Sequence, residues 1–190
     1  MRITGGQARG IPIKTPKRGE LRPATDYLRE AIYSSLGHDR CEDACVLDAF
    51  AGTGAYGLEA LSRGASHCTF LEQNRAAIAS LEENCAAVGK ALSRQPDSIS
   101  TLIQRDFFRH DLRSGQRYDL VFVDPPYPIW PEKGEEILAI CFEVLKPDGR
   151  LVAEAPGAFE PELPAGSQLI RRLAKGPKQP SALIIGGITV

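Results

Sequence analysis

The stretch that decides the fold is Leu47-Asp48-Ala49-Phe50-Ala51-Gly52-Thr53-Gly54-Ala55-Tyr56-Gly57. It joins a short apolar run that begins at Cys45 to a segment with the pattern of a helix. Glycines spaced as Gly52-x-Gly54-x-x-Gly57 permit a tight turn, and they let a ligand approach the backbone and the N-terminus of the following helix. The stretch therefore predicts the first strand, loop and helix of a nucleotide-binding α/β sheet.

Strands and helices alternate along the chain after this unit. Two late β segments follow one another without room for a crossover helix, so they should pair as an antiparallel hairpin at the sheet edge. The pattern predicts an α/β fold: a Rossmann-like, seven-stranded, mainly parallel sheet with helices on both faces and an antiparallel C-terminal edge hairpin. The predicted strands are 45–48, 68–72, 99–104, 118–123, 150–154, 167–174 and 181–189. Between them we predict a loop and helix over 52–63 and helices over 74–88 and 132–145.

Charge divides the chain of 190 residues into two parts. Residues 1–40 hold eight Lys or Arg and four Asp or Glu, whereas the remainder carries a balance of −5. We interpret 1–40 as a basic arm with one amphipathic helix, 25–36, and 41–190 as the main domain. A basic arm on an acidic body suggests a polyanionic partner, although a solvated charged arm fits this observation equally well.

Composition argues against membrane and metal functions. No apolar run reaches the length of a membrane span, and the N-terminus has no apolar signal-peptide core, so we expect a cytoplasmic protein. The five cysteines form no CxxC pair. His38, Cys41 and Cys45 lie close together without an evident fourth ligand, so we expect no metal site and reduced thiols.

Two carboxylates beside the glycine loop indicate what it holds. Glu72 ends the second strand, 20 residues after Gly52, where it can accept hydrogen bonds from both hydroxyls of a ribose. The glycines and Glu72 alone fit NAD as well as any other adenosine cofactor. Asp48 favours S-adenosylmethionine, because a carboxylate there would repel a pyrophosphate and attract a ligand with a sulfonium, an ammonium and no phosphate. We predict a cofactor site formed by Asp48, Phe50, Gly52, Gly54 and Glu72.

An acid and an aromatic residue follow the third strand. Asp106 can accept a hydrogen bond from the exocyclic amine of an adenine, and Phe107 can lie along the face of its ring. A charged loop residue followed by core phenylalanines explains the pair equally well. We include Asp106 and Phe107 in the predicted cofactor site.

The fourth strand ends in Val121-Phe122-Val123-Asp124-Pro125-Pro126-Tyr127-Pro128-Ile129-Trp130-Pro131, where an apolar run stops at a carboxylate. Ligands of open α/β sheets bind outside the carboxyl ends of the strands. Asp124 should therefore lie on the same edge of the sheet as Asp48, Glu72 and Asp106.

The residues around Asp124 suit a substrate that donates from an NH2 group. Pro125 and Pro126 lack N–H groups and have a fixed φ, which holds the neighbouring carbonyls in place as acceptors. Tyr127 can stack on a flat ring. We predict a catalytic clamp for an exocyclic amine on a base or amide, formed by Asp124, Pro125, Pro126 and Tyr127.

The Asp124-Pro125-Pro126-Tyr127 motif and the glycine loop together resemble the class I S-adenosylmethionine-dependent amino methyltransferases. MRITGGQARG at 1–10, LRPATDYLRE at 21–30 and GLEALSRGA at 57–65 narrow the match. They resemble the bacterial small-subunit (16S) ribosomal RNA guanine-N2 methyltransferases, the RsmD family. The resemblance covers most of the chain and is clearest over 1–127. The tetrapeptide is shared with DNA and protein methylases, so it specifies the chemistry, whereas the N-terminal stretches are more specific for the substrate.

The resemblance implies transfer of the methyl group of S-adenosylmethionine to the exocyclic N2 of a guanine in ribosomal RNA. Its expected partner is a partly assembled small ribosomal subunit, met by a monomeric enzyme. The expected contacts to the RNA backbone are Arg2, Arg9, Arg22 and Arg29.

Three alternatives remain open at this stage. An amino methyltransferase acting on DNA or a protein amide shares the chemistry. An NAD-dependent oxidoreductase would have to bind its cofactor despite Asp48, and an RNA-binding module without enzymatic activity would have no use for the intact Asp124 motif. The loop after Tyr127 is stiffer than expected for the family. It can shape the RNA pocket or cap the next helix, and Trp130 should tell which.

Overall fold

The strand, loop and helix around Gly52 begin a seven-stranded sheet in the computed structural model, which describes residues 1–16, 26–174, 176 and 179–188. The strands are β1 (Cys45–Ala49), β2 (His67–Glu72), β3 (Ser100–Gln104), β4 (Tyr118–Val123), β5 (Leu145–Pro156), β6 (Ser167–Ala174) and β7 (Pro180–Gly187). The α-helices are α1 (Asp26–Leu36), α2 (Ala55–Ser62), α3 (Arg75–Ala91), α4 (Pro96–Ile99) and α5 (Trp130–Glu143). Short 3-10 turns span His38–Arg40, Phe107–Arg109 and Tyr127–Ile129.

The strand order is β3-β2-β1-β4-β5-β7-β6. β1 to β5 pair in parallel, while β7 runs antiparallel to both β5 and β6. The predicted fold class is confirmed, including the antiparallel edge. Because the parallel strands end at the same edge, the loops that follow β1 to β5 meet there.

The predicted element boundaries differ from the structure at a few places. α3 continues past Gly89, the predicted stop, and ends at Ala91. β5 begins at Leu145, five residues before the predicted start, and its pairing with β4 shifts register between Tyr118 and Leu120. α4 was not predicted, and it includes the first residue of the predicted strand 99–104. Pairing and packing with neighbouring elements override the local turn signals here.

Apolar side chains cover both faces of the sheet. Phe70 and Phe122 lie on the face that packs against α1, α2 and α3, whereas Val121 and Val123 lie on the face that packs against α5. This division follows the alternation of side chains along each strand. It leaves the carboxyl edge of the sheet, between the two layers, for the loops.

The N-terminal arm packs onto the first of these faces. Arg2 and Pro12 form an antiparallel bridge within the arm. Ile3, Ala8 and Ile13 are buried in the same apolar cluster as α1 and the sheet. The proposed division at residue 40 is therefore not a break in the core. Within the described residues, no helix has both the length and the apolarity needed to cross a membrane.

Candidate active site

A cavity of about 770 Å³ opens at the carboxyl edge of the sheet. Residues at or just beyond the carboxyl ends of β1, β2, β3 and β4 line it together with Glu154 of β5, and Met1 and Thr15 from the arm contribute to one side. The cavity brings together most of the residues predicted for the cofactor and catalytic sites: Asp48, Phe50, Gly52, Glu72, Asp106, Phe107, Asp124, Pro125, Pro126 and Tyr127.

Asp48 lies at the base of the glycine loop. Its Oδ2 accepts a hydrogen bond from the Gly57 N–H at 2.8 Å, which anchors the first turn of α2. The residue is 1% exposed. Burial raises the pKa of Asp48 to about 8, the Gly57 hydrogen bond lowers it and the nearby Glu72 carboxylate raises it. With this pKa the protonated form is favoured at neutral pH, and a bound cation would shift Asp48 toward the carboxylate.

Glu72 fixes the shape of the glycine loop. Its Oε2 accepts from the Gly52 N–H at 2.8 Å, and its Oε1 accepts from the Asn74 N–H at 2.6 Å. A carboxylate has about four acceptor positions, so these two bonds leave it able to bind ribose hydroxyls as predicted.

Gly54 does not line the cavity. It precedes α2 with φ 84°, and a Cβ there would lie 2.4 Å from Leu81 Cδ1. Its part in this structure is to let the loop turn and pack against α3. Direct contact between Gly54 and the cofactor stays an untested prediction.

Three phenylalanines form one wall of the cavity. Phe107 is 5% exposed, and its ring stacks on that of Phe50 with 4.6 Å between centroids. Phe108 is 40% exposed and also lines the cavity. Asp106 Oδ1 accepts from the Phe108 N–H at 2.9 Å, which shapes this turn. Phe107 is thus largely a core residue that also lines the cavity. Phe108, which we did not predict, offers the more accessible ring.

Asp124 and Tyr127 border the cavity directly after β4. Pro125 is buried and Pro126 is exposed, and the Pro126 carbonyl accepts from the Ile129 N–H at 3.0 Å. This bond closes the 3-10 turn that leads into α5. The backbone that follows Asp124 is therefore fixed by the two successive prolines and by this turn.

Tyr56 and Glu154 line the cavity and were not predicted. The Tyr56 hydroxyl donates to Glu154 Oε2 at 2.5 Å, and the Tyr56 ring stacks on Phe122 with 5.3 Å between centroids. A signal for Glu154 was present in the sequence, because it ends the predicted strand 150–154 as Asp124 ends the fourth strand.

The lining of the cavity is acidic. Among its described residues are five carboxylic acids and one arginine, Arg105. Such a set of side chains suits a ligand that carries positive charge and donor groups, and it opposes a pyrophosphate. The residues therefore fit S-adenosylmethionine better than a dinucleotide.

Comparison with known proteins identifies the family. The family described as "Conserved hypothetical protein 95" matches residues 1–180. The chain belongs to this family. Ribosomal RNA small subunit methyltransferase D of Escherichia coli K12 is 37% identical over 168 residues, which are 87% of this chain and 77% of that protein. The resemblance to the RsmD family is confirmed.

Solved structures share the fold of this family member. The yhhF protein of Escherichia coli is 31% identical, with a TM-score of 0.80 over 98% of this chain and 97% of that one. SMU.776, solved as a complex with SAH, is 15% identical with a TM-score of 0.60, over 77% of this chain and 47% of that one. At this identity, the second likeness shows the fold alone.

The arginines predicted to contact RNA differ in their exposure in this family member. Arg2 and Arg9 are exposed on the arm, whereas Arg22 lies outside the described residues. The prediction for Arg29 is wrong, because its side chain is 0% exposed. Arg29 donates to Glu59 Oε2 at 3.3 Å, to Asp26 Oδ1 at 2.9 Å and to the Arg2 carbonyl at 2.5 Å. Its charge ties α1 and the arm to α2 and cannot reach a phosphate.

Trp130 answers the question about the loop after Tyr127. Its side chain is 0% exposed, and its ring packs 4.9 Å from that of Phe159. Trp130 thus anchors the start of α5, while Pro128 and Ile129 border the cavity. The described residues contain no group of three or more possible metal ligands.

Proposed function

We propose that this protein transfers a methyl group from S-adenosylmethionine to the exocyclic N2 amine of a guanine in small-subunit ribosomal RNA. One observation carries the proposal: the Asp124-Pro125-Pro126-Tyr127 turn borders the same cavity as the glycine loop with Asp48 and Glu72. A cofactor held by the loop and a base held by the turn would therefore meet in one space.

S-adenosylmethionine is the cofactor that this cavity favours. Its sulfonium makes the methyl carbon open to attack by a nitrogen lone pair, with S-adenosylhomocysteine as the leaving group. Glu72 would bind the ribose hydroxyls, and the Phe50 and Phe108 rings would border the adenine. Asp48 would face the positive charge. The acidic lining supports this cofactor over NAD, and SMU.776, which shares the fold, was solved with SAH.

Asp124 and the Pro125 carbonyl would activate the amine. The lone pair of a base amine is delocalised into the ring, and hydrogen bonds from its two N–H groups to these acceptors favour localisation on nitrogen. Asp124 also offsets the positive charge that develops on nitrogen as the new bond forms, and the methylated amine then gives up one proton to Asp124 or to solvent. Tyr127 would hold the plane of the base, which must leave its stack to enter the cavity. Much of the acceleration then comes from positioning.

The RNA substrate is inferred from relatives and from charge. The relative at 37% identity is named ribosomal RNA small subunit methyltransferase D, and we infer the substrate class from that name. Arg2 and Arg9 lie exposed on the arm, and the arm contributes Met1 and Thr15 to the cavity. Contacts from these arginines to phosphates would lead an RNA strand to the entrance. We propose a partly assembled small subunit in the cytoplasm as the substrate and a monomer as the active form.

The Asp124→Ala variant tests this proposal. Methyl transfer to small-subunit RNA should fall by at least about 100-fold, because the group that orients and stabilises the reacting nitrogen is gone. Binding of S-adenosylhomocysteine, measured by calorimetry, should change little. The matched control is Asp148→Ala, which removes an exposed carboxylate at the opposite edge of the sheet and should leave turnover intact. Near-normal turnover of Asp124→Ala would refute the assignment.

A further inference from the structure

Two carboxylic acids lie at neighbouring positions near the carboxyl edge of the sheet, where Asp124 directly follows β4 and Glu154 belongs to β5. Val123 pairs in register with Ala153, so Asp124 and Glu154 occupy the next positions on adjacent strands and face the same side of the sheet. Both line the cavity. The proposed function uses Asp124 and gives Glu154 no part.

Tyr56 holds Glu154 in place. Its hydroxyl donates to Glu154 Oε2, and its ring is fixed by the stack on Phe122. Burial, followed by the nearby Glu154 and Asp124 carboxylates, raises the pKa of Tyr56 well above its ordinary value of 10.0. Tyr56 therefore keeps its proton at any physiological pH and remains a donor. This bond fixes the orientation of the Glu154 carboxylate at the wall of the cavity.

The pair of acids matches the edge of one base. In guanine the N2 amine is flanked by the ring N1–H, so two adjacent donor groups point the same way. In adenine and cytosine the ring nitrogen beside the amine carries a lone pair, which a carboxylate repels. Asp124 alone could accept a hydrogen bond from the amine of any of these bases. Asp124 and Glu154 together favour guanine, because they match both the amine and the neighbouring N1–H.

We propose that Glu154 is a specificity-determining residue that accepts a hydrogen bond from the N1–H of guanine while Asp124 holds the N2 amine. This inference rests on the proposed function, since it concerns the base that the cavity receives. The physical basis is the buried position of Glu154, which is 5% exposed. A base without the N1–H would leave a buried carboxylate facing a lone pair, and sites of this kind reject such analogues strongly.

The purine analogue 2-aminopurine isolates this contact. It keeps the amine on C2 but has an unprotonated N1, and it also lacks the O6 carbonyl. The methylated guanine is first located in the product of the wild-type enzyme by mass spectrometry. Small-subunit RNA with guanine or 2-aminopurine at that position is then made by splinted ligation, assembled with small-subunit proteins, and compared by kcat/KM for methyl transfer.

The wild-type enzyme should prefer guanine over 2-aminopurine by roughly 10- to 100-fold or more. In Glu154→Gln the side-chain amide can donate to the bare N1, so the preference should be roughly 10-fold smaller than in the wild type. The missing O6 affects both enzymes alike and cancels in the comparison of the two ratios. A matched change elsewhere in the cavity, Asp106→Asn, should leave the ratio as in the wild type even if it lowers the rate.

The possible failures are distinguishable. If the wild type does not methylate guanine in this RNA at all, the proposed function fails. If the wild type methylates guanine but treats 2-aminopurine equally well, or if Glu154→Gln keeps the wild-type ratio, the role of Glu154 is wrong. The wild-type ratio needs no variant, so the inference stays testable even if Glu154→Gln does not fold.

Discussion

Asp48 both holds the glycine loop in place and responds to the charge of a bound ligand. Its carboxyl group accepts the Gly57 N–H, and burial raises its pKa to about 8. At pH 7 the protonated form is therefore favoured over the carboxylate in the free protein. A bound cation would favour the carboxylate, so binding and proton release are coupled.

Binding of S-adenosylmethionine at pH 7 should release up to about one proton from Asp48. Below the pKa of about 8, Asp48 must lose its proton before its carboxylate can stabilise the bound S-adenosylmethionine. The affinity for S-adenosylmethionine should therefore rise with pH up to that value and then level off. Calorimetry in buffers of different ionisation enthalpy measures the released proton. Asp48→Asn, which cannot ionise, should lose this release; equal proton release in both proteins would contradict the account.

The sequence predicted residues whose position at the cavity follows from their place at the end of a strand. Asp124 and Glu72 could be found because a charge that ends a buried strand has few structural explanations. Phe108 and Arg29 could not, because their roles depend on burial and on partners distant in sequence. Glu59, the partner of Arg29, lies 30 positions along the chain, and no local pattern predicts that contact.

At the scale of elements, a buried ion network joins the arm, α1 and α2. Glu59 is buried on α2 and accepts the Thr4 N–H and hydroxyl, each at 2.8 Å, and the Arg63 Nε at 2.9 Å. Arg29 on α1 adds its bond to Glu59 and another to the Arg2 carbonyl. The network therefore positions the arm beside the cavity. Its buried members, Arg29 and Glu59, do not form a surface that RNA could contact.

Arg29→Ala should lower the free energy of unfolding by about 3 to 5 kcal/mol, because it leaves Glu59 buried with less compensation. Urea denaturation followed by circular dichroism measures the change. Arg113 makes an exposed pair with Glu143, so Arg113→Ala is a matched control that should have a much smaller effect. If Arg29→Ala is as stable as this control and only RNA binding is weakened, Arg29 would be an RNA-binding residue after all.

For the molecule as a whole, the fold was predictable and the attachment of the arm was not. Alternating strands and helices, with a final pair too close for a crossover, defined the sheet and its antiparallel edge. The charge asymmetry suggested a separate arm, but Ile3 and Ile13 bury it in the main core. Apolar residues scattered among glycines do not show a periodicity, so this packing has no clear signal in the sequence.

Arg9→Glu should weaken binding to small-subunit RNA and leave S-adenosylhomocysteine binding unchanged, because the arginine is exposed on the arm. The slope of log affinity against log salt concentration should become shallower by about 0.7 to 0.9 for each phosphate that the protein no longer neutralises. Filter binding over a range of salt concentrations measures this slope. Arg113→Glu makes the same charge change on the α5 side of the sheet and should have little effect; an equal weakening in both variants would show that only net charge matters.

The most direct test of the central claim is to identify the methylated nucleoside. Small subunits from a strain that lacks this gene are incubated with the purified protein and S-adenosylmethionine bearing a labelled methyl group, and the ribosomal RNA is digested and analysed by mass spectrometry. The label should appear in N2-methylguanosine at one position, and it should be absent when Asp124→Ala replaces the wild type. Label in a different nucleoside, or none in the ribosomal RNA, would contradict the proposed function.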